Sequence, residues 1–187
     1  MRAGPIRKHD FSVEEFERMG TAGVFGPESR LELIEGEVVE LGPIGLAHAG
    51  CVRKLNRLLS QSLGDRALVD VQNPLVLSDA TQVQPDIAVL APRADAYSTA
   101  HPGPADVALL VEVSDTTLAY DRSVKVLLYA TAGVREVWVV DIAGRAVEVY
   151  TDPDPDGYRS VSRVGAGEEV SPKAFEGLQI SVNALLP

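Results

Sequence analysis

Cysteine occurs once, at Cys51, which excludes a disulfide framework and a zinc site built from cysteines. Basic residues are scarce as well: 17 Lys and Arg stand against 27 Asp and Glu, a formal net charge of −10. That balance argues against a protein that coats nucleic acid through a broadly basic surface, although a bound cation or a local patch can still serve a cleft. No apolar run approaches the roughly 20 residues needed to cross a bilayer. Met1 to Lys8 lack the apolar core of a signal peptide, so a cytoplasmic protein is the expectation. Missing too are a Gly-x-Ser-x-Gly elbow, a Walker-type phosphate loop, a His-Glu-x-x-His pair and a Gly-x-Gly-x-x-Gly turn. Spacing alone would allow a Cys51–His48 nucleophile pair, but nothing else supports it.

What is present suits a packed globular protein. Hydrophobic residues make up 45% of the 187 positions and charged ones 24%, consistent with a single domain over residues 1–187. Ser12-Val13-Glu14-Glu15 reads as a capping box, predicting a helix from about Val13 to Met19 that Gly20 ends. Glu35-Gly36 reads as the tight turn of a hairpin between Leu31–Ile34 and Val38–Leu41. Leu55, Leu58, Leu59 and Leu63 recur at helical spacing before Gly64. Short strands are expected at 67–71, 75–77 and 87–90, treated as one group, and a buried central strand at 106–114. A helix should follow Thr116 or Thr117, with Val124, Leu127 and Leu128 as its core stripe and Gly133 closing it. Strands are expected again at 136–141 and 146–150, then a turn-rich loop at 152–157 and late edge strands at 158–164 and 178–182. The sum is an α/β fold with a central mixed sheet flanked by helices, plus an added N-terminal helix and hairpin.

Two acids interrupt strands that otherwise read as buried: Asp86 after Pro85, and Glu112 within Leu-Leu-Val-Glu-Val. A central strand rarely places a charge at a buried position, and a buried carboxylate needs a partner or a metal. If the two strands are neighbours, both carboxylates face one cleft, and hard oxygen donors suit Mg²⁺ or Mn²⁺ better than zinc. Period-two geometry puts Ser114 on the face of Glu112. Lys125 borders the core stripe of the next helix, so it can lean toward the same centre. The plainer alternatives are that Asp86 caps a turn, that Glu112 pairs with Arg135, and that Asp121 and Lys125 form an exposed salt bridge at i,i+4. His48 lies near Arg53, Lys54 and Arg57 on one helix, the best local candidate for touching phosphates.

Taken together, Leu31-Glu32-Leu33-Ile34-Glu35-Gly36-Glu37, His48, Gln84-Pro85-Asp86, Val111-Glu112-Val113-Ser114, Asp121 with Lys125, and the run from Tyr129 to Asp141 resemble a large bacterial family. It is a restriction-endonuclease family, long known as a domain of unknown function, within the PD-(D/E)xK nuclease superfamily. The resemblance covers roughly Phe11 to Tyr150. It implies a restriction-endonuclease-like core and a Mg²⁺-dependent (or Mn²⁺-dependent) DNA endonuclease. Asp86 and Glu112 would be the metal-binding acids. The superfamily usually carries a lysine two residues after the second acid, where this chain has Ser114. The resemblance implies that this lysine has migrated to Lys125. Glu37, His48 and Gln84 fall on family motif positions, and Ser114 and Asp121 would support the site. Two strand cuts would call for a homodimer. The alternative is a catalytically inactive nuclease fold that serves as a binding module.

Overall fold

A computed structural model of the chain describes residues 6–26 and 28–187. The first helix, α1 (Val13–Thr21), carries the expected capping box: Ser12 accepts from the Glu15 N–H while the Glu15 carboxylate accepts from the Ser12 N–H. It runs past Gly20 and ends on Ala22. Strands β1 (Leu31–Ile34) and β2 (Glu37–Glu40) form the expected hairpin, with Glu35 and Gly36 both at positive φ. Helix α2 (Leu46–Leu63) buries Cys51, Val52, Leu55, Leu59 and Leu63.

The next strands split differently from the sequence reading. Strand β3 (Leu68–Asp70) joins the main sheet, but β4 (Leu75–Ser78) pairs with β5 (Thr81–Val83), which the sequence reading missed. Only three residues long, β5 is too short for a periodic signal. Together with β1 and β2 these make a four-stranded sheet in the order β2-β1-β5-β4.

The main sheet adds β6 (Ile87–Leu90), β7 (Val107–Ser114), β8 (Glu136–Asp141), β9 (Ala146–Asp154) and β10 (Gly157–Gly165), in the order β10-β9-β8-β7-β6-β3. Strand β7 runs antiparallel to β6 and parallel to β8. A parallel pair needs a crossover. It is supplied by α3 (Leu118–Tyr120), a π-helical turn over Asp121–Lys125, and α4 (Val126–Thr131). The expected 152–157 loop is narrower, because β9 and β10 extend into it and pair from Asp154 to Gly157. The expected strand at 178–182 is not an edge of this sheet. Its core, β12 (Ile180–Ser181), pairs with β11 (Glu169–Val170) in a separate ladder before α5 (Val182–Leu185).

Each face of the main sheet has its own apolar core. Leu109, Val111 and Val113 pack toward α2 and α5, whereas Leu110 packs with Val126, Tyr129 and residues of the smaller sheet. Alternation along β7 therefore turns Glu112 and Ser114 toward the crossover helix and the smaller sheet. Both faces of β7 are covered, so its sequence shows no polar alternation.

Gly36 holds the hairpin against the N-terminal segment. Its φ is +82°, and a Cβ there would lie 2.6 Å from Asp10 Cβ and 2.9 Å from Asp10 Cα. Gly36→Ala should therefore lower stability by about 2 kcal/mol or more, read as a shift in the urea unfolding midpoint.

Candidate active site

Ile87 is registered opposite Val111, which sets Asp86 beside Glu112 at the end of the β6–β7 ladder. Both acids are buried. The Glu112 Oε2 accepts from the Asp86 N–H at 3.4 Å, and Asp86 Oδ2 accepts from the Val113 N–H at 2.9 Å. Helix α2 brings His48 Nε2 to 2.9 Å from Asp86 Oδ2, while Gln72 Nε2 donates to Asp86 Oδ1 at 2.9 Å. Lys125, only 4% exposed, donates to Glu112 Oε1 at 3.1 Å and to Glu32 Oε1 at 2.8 Å. The Tyr129 hydroxyl also donates to Glu112 Oε1. Neither an Arg135–Glu112 pair nor an exposed Asp121–Lys125 bridge is formed among the described residues.

The π turn explains why the helix stripe falls elsewhere than expected. Val126 donates to the Asp121 carbonyl, five residues back, so one residue is inserted into the helical ladder. The buried face becomes Asp121, Lys125, Val126, Tyr129 and Ala130, and Leu127 is left 43% exposed. Asp121 accepts from Ser114 Oγ and Thr117 Oγ1, each at 2.6 Å, which fastens the turn to the end of β7.

Burial pushes the Glu112 carboxyl up to about 8; Asp86, Asp121 and Glu32 add to this, and Lys125 opposes it. Burial alone would lower the Lys125 ammonium, but Glu112 and Glu32 outweigh it and hold the group above its usual range. Asp86 is also penalised by burial, yet His48, the Val113 N–H and Gln72 together keep it below its usual range. The hydrogen bond to Asp86 raises His48. Cys51 is fully buried and its thiol is pushed up to about 12 by that burial, so it is no nucleophile.

Asp86, Glu112 and Lys125 thus meet at a cleft of about 220 Å³, which His48, Gln84, Asp121, Arg30 and Tyr120 also line. Ser114 stands just behind it, bonded to Asp121. Glu37 does not join: it is exposed on β2 and paired with Lys8. On α2, Arg53 and Arg57 are exposed, whereas Lys54 donates to the Leu186 carbonyl. Glu32 and Tyr129 lie within the motif runs quoted above but were given no site role there, and Gln72 was not singled out. Only Glu32 carried a usable signal, the same one as Glu112: an acid inside an apolar strand.

Among the described residues no three His, Cys, Asp or Glu side chains are arranged to hold a metal. A two-carboxylate floor suits an ion that keeps water and substrate oxygens as ligands, as Mg²⁺ and Mn²⁺ do, and not a zinc cage. The fit is electrostatic as well. The Glu112 anion is disfavoured by burial, and its Oε2 has only the 3.4 Å contact to the Asp86 N–H. A cation at the cleft would relieve both.

The mixed sheet and its crossover helix form a restriction-endonuclease-like core. The chain is similar over its length to a crystal structure described as a putative nuclease belonging to DUF820, from Anabaena variabilis. The TM-score is 0.70 at 17% identity, covering 94% of this chain and 97% of that one. No curated protein matches the chain. Residues 13–183 match the Uma2 family, described as "Putative restriction endonuclease", and the chain belongs to that family. Among the described residues no helix is long and apolar enough to cross a membrane.

Without metal the protein should lose stability as pH rises. Unfolded Glu112 ionises near its ordinary 4.5, while the folded form keeps its proton to about 8. The folded state therefore binds the extra proton in that window, and the stability it brings is lost as pH climbs through it. Raised His48 acts in the same direction above its ordinary 6.5. Lowered Asp86 acts oppositely, but only as pH falls below its ordinary 3.8. Urea midpoints measured with a chelator should fall between about pH 5 and 8.5, and Glu112→Gln should flatten most of that fall.

Proposed function

We propose that this chain is a Mg²⁺- or Mn²⁺-dependent endonuclease that hydrolyses DNA phosphodiester bonds. The observation that carries the reading is the placing of two buried carboxylates and one buried ammonium, from separate parts of the chain, at one cleft. Family membership and the likeness to a putative nuclease support it.

Asp86 and Glu112 would hold the ion. Bound there, Mg²⁺ or Mn²⁺ supplies Lewis-acid polarisation of a phosphate oxygen and a more acidic coordinated water. His48, Gln72 and the Val113 N–H fix the orientation of Asp86. An ammonium has three donors, and two of Lys125's are spent on Glu112 and Glu32. The third is the group that orients the attacking water or stabilises charge gathering on the phosphoryl oxygens. Ser114 and Thr117 act through Asp121, fixing the turn that carries Lys125. Cutting both strands of a duplex takes two such sites, so a homodimer belongs with this reading, as does a cytoplasmic location.

A second reading, a nuclease-like fold kept for binding alone, is favoured by the net charge of −10. Plasmid cleavage separates the two. Wild-type protein should nick supercoiled DNA with Mg²⁺ or Mn²⁺ and stop when a chelator is added. Asp86→Ala and Glu112→Ala should show no cutting above blank, and Lys125→Met should be slower by about 100- to 1,000-fold. Equal nicking by all four proteins would indicate a contaminant and remove the hydrolytic reading.

A further inference from the structure

Glu32 is the most deeply buried acid in the chain's charged centre, with no exposure at all. It comes from the smaller sheet, whereas Asp86 and Glu112 come from the main one. Its Oε1 accepts from Lys125 Nζ at 2.8 Å and from the Gln84 N–H at 2.8 Å, so the backbone fixes the carboxylate in place. Its Oε2 is buried with no partner among the described residues. A buried carboxylate with one oxygen unmatched costs stability, and an apolar side chain at this place in β1 would avoid that cost.

The geometry relative to Glu112 supplies a reason for an acid here. Lys125 leans on two carboxylates, and the contact to Glu32 is the shorter one, 2.8 Å against 3.1 Å. A divalent cation on Glu112 would draw that carboxylate's charge away from Lys125 and repel the ammonium. With Glu112 as its only partner, the lysine would then be driven out of the cleft. Glu32 lies on the smaller sheet, where it keeps an anion beside the ammonium that the cation does not claim. We propose that Glu32 is a positioning residue of this site, holding Lys125 at the cleft when Glu112 is engaged by metal. The inference rests on the hydrolytic reading above and adds to it a fourth charged residue with a defined task.

A mutant cycle with three readouts tests it. In plasmid cleavage at saturating Mg²⁺, Glu32→Gln should lower kcat by about 100-fold while KM changes less than about threefold. By calorimetry its Mn²⁺ affinity should stay within about threefold of wild type, since Asp86 and Glu112 are untouched. Glu32→Asp, which keeps the charge, should recover at least about tenfold of the loss. Adding Glu32→Gln to Lys125→Met should cost nothing further, because the two act as a unit. Full activity in Glu32→Gln, a parallel collapse of Mn²⁺ affinity, or additive losses in the double variant would each overturn the proposal. The third readout is amine acetylation of Mn²⁺-loaded protein, followed at Lys125 by mass spectrometry. Glu32→Gln should speed labelling at Lys125 by about tenfold or more, and an unchanged rate would overturn the proposal. If the wild type cuts no nucleic acid at all, the hydrolytic reading falls by itself, and the labelling result still decides whether Glu32 holds Lys125.

Discussion

The site depends on one ammonium buried between two carboxylates that belong to different sheets. Lys125 ties Glu112 of β7 to Glu32 of β1, so the smaller sheet and the main sheet meet through a charge contact as well as an apolar core. Removing one partner from such a buried charged group costs about 3–5 kcal/mol. The arrangement also sets the charge state of the cleft. Lys125 stands between Glu32 and Glu112, while His48, the Val113 N–H and Gln72 hold Asp86 below its usual range. A divalent cation at the cleft floor would favour the ionised form of Glu112 and complement the Asp86 carboxylate beside it.

The cleft also bears on how so acidic a chain could meet a polyanion. Of the basic side chains near the cleft, Lys125 is committed to two carboxylates and Arg30 donates to the Gly42 carbonyl at 2.8 Å. Attraction of a phosphate would then come mainly from the cation, with exposed Arg53 and Arg57 on α2 as lesser contributors. On the proposed reading, cation binding and substrate binding would be linked by this charge inventory: the first would create the potential that the second needs.

Much of the fold could be read before any coordinates, and the reasons are specific. The Ser12–Glu15 capping box, the Glu35-Gly36 hairpin turn and the uninterrupted apolar run of β7 are local signals with local causes, and each lies where expected. That Asp86, Glu112 and Lys125 are buried at one cleft was legible because an acid in a buried strand and a lysine beside an apolar stripe both need an explanation. The π turn was not legible. No residue between Asp121 and Lys125 announces the extra residue in the ladder, and the turn is held from outside by Ser114, Thr117 and the Arg122–Glu148 pair. For the same reason the Val124–Leu127–Leu128 stripe was misplaced. Glu37 sat on a motif position but lies on the exposed strand of the hairpin, whereas Glu32, five residues earlier, is the acid that turns inward. The two share an acidic run, and only the pairing of β1 with both β2 and β5 distinguishes the covered strand from the edge.

The account stands on a single cation seated between Asp86 and Glu112 with Lys125 still beside it. Crystals soaked in Mn²⁺ and measured at a wavelength where manganese scatters anomalously test this most directly. The account predicts one strong peak within about 2.0–2.3 Å of a carboxylate oxygen from each acid, with Lys125 Nζ held by Glu32. A peak bound elsewhere, or no peak at millimolar Mn²⁺ with both carboxylates ordered, would contradict it.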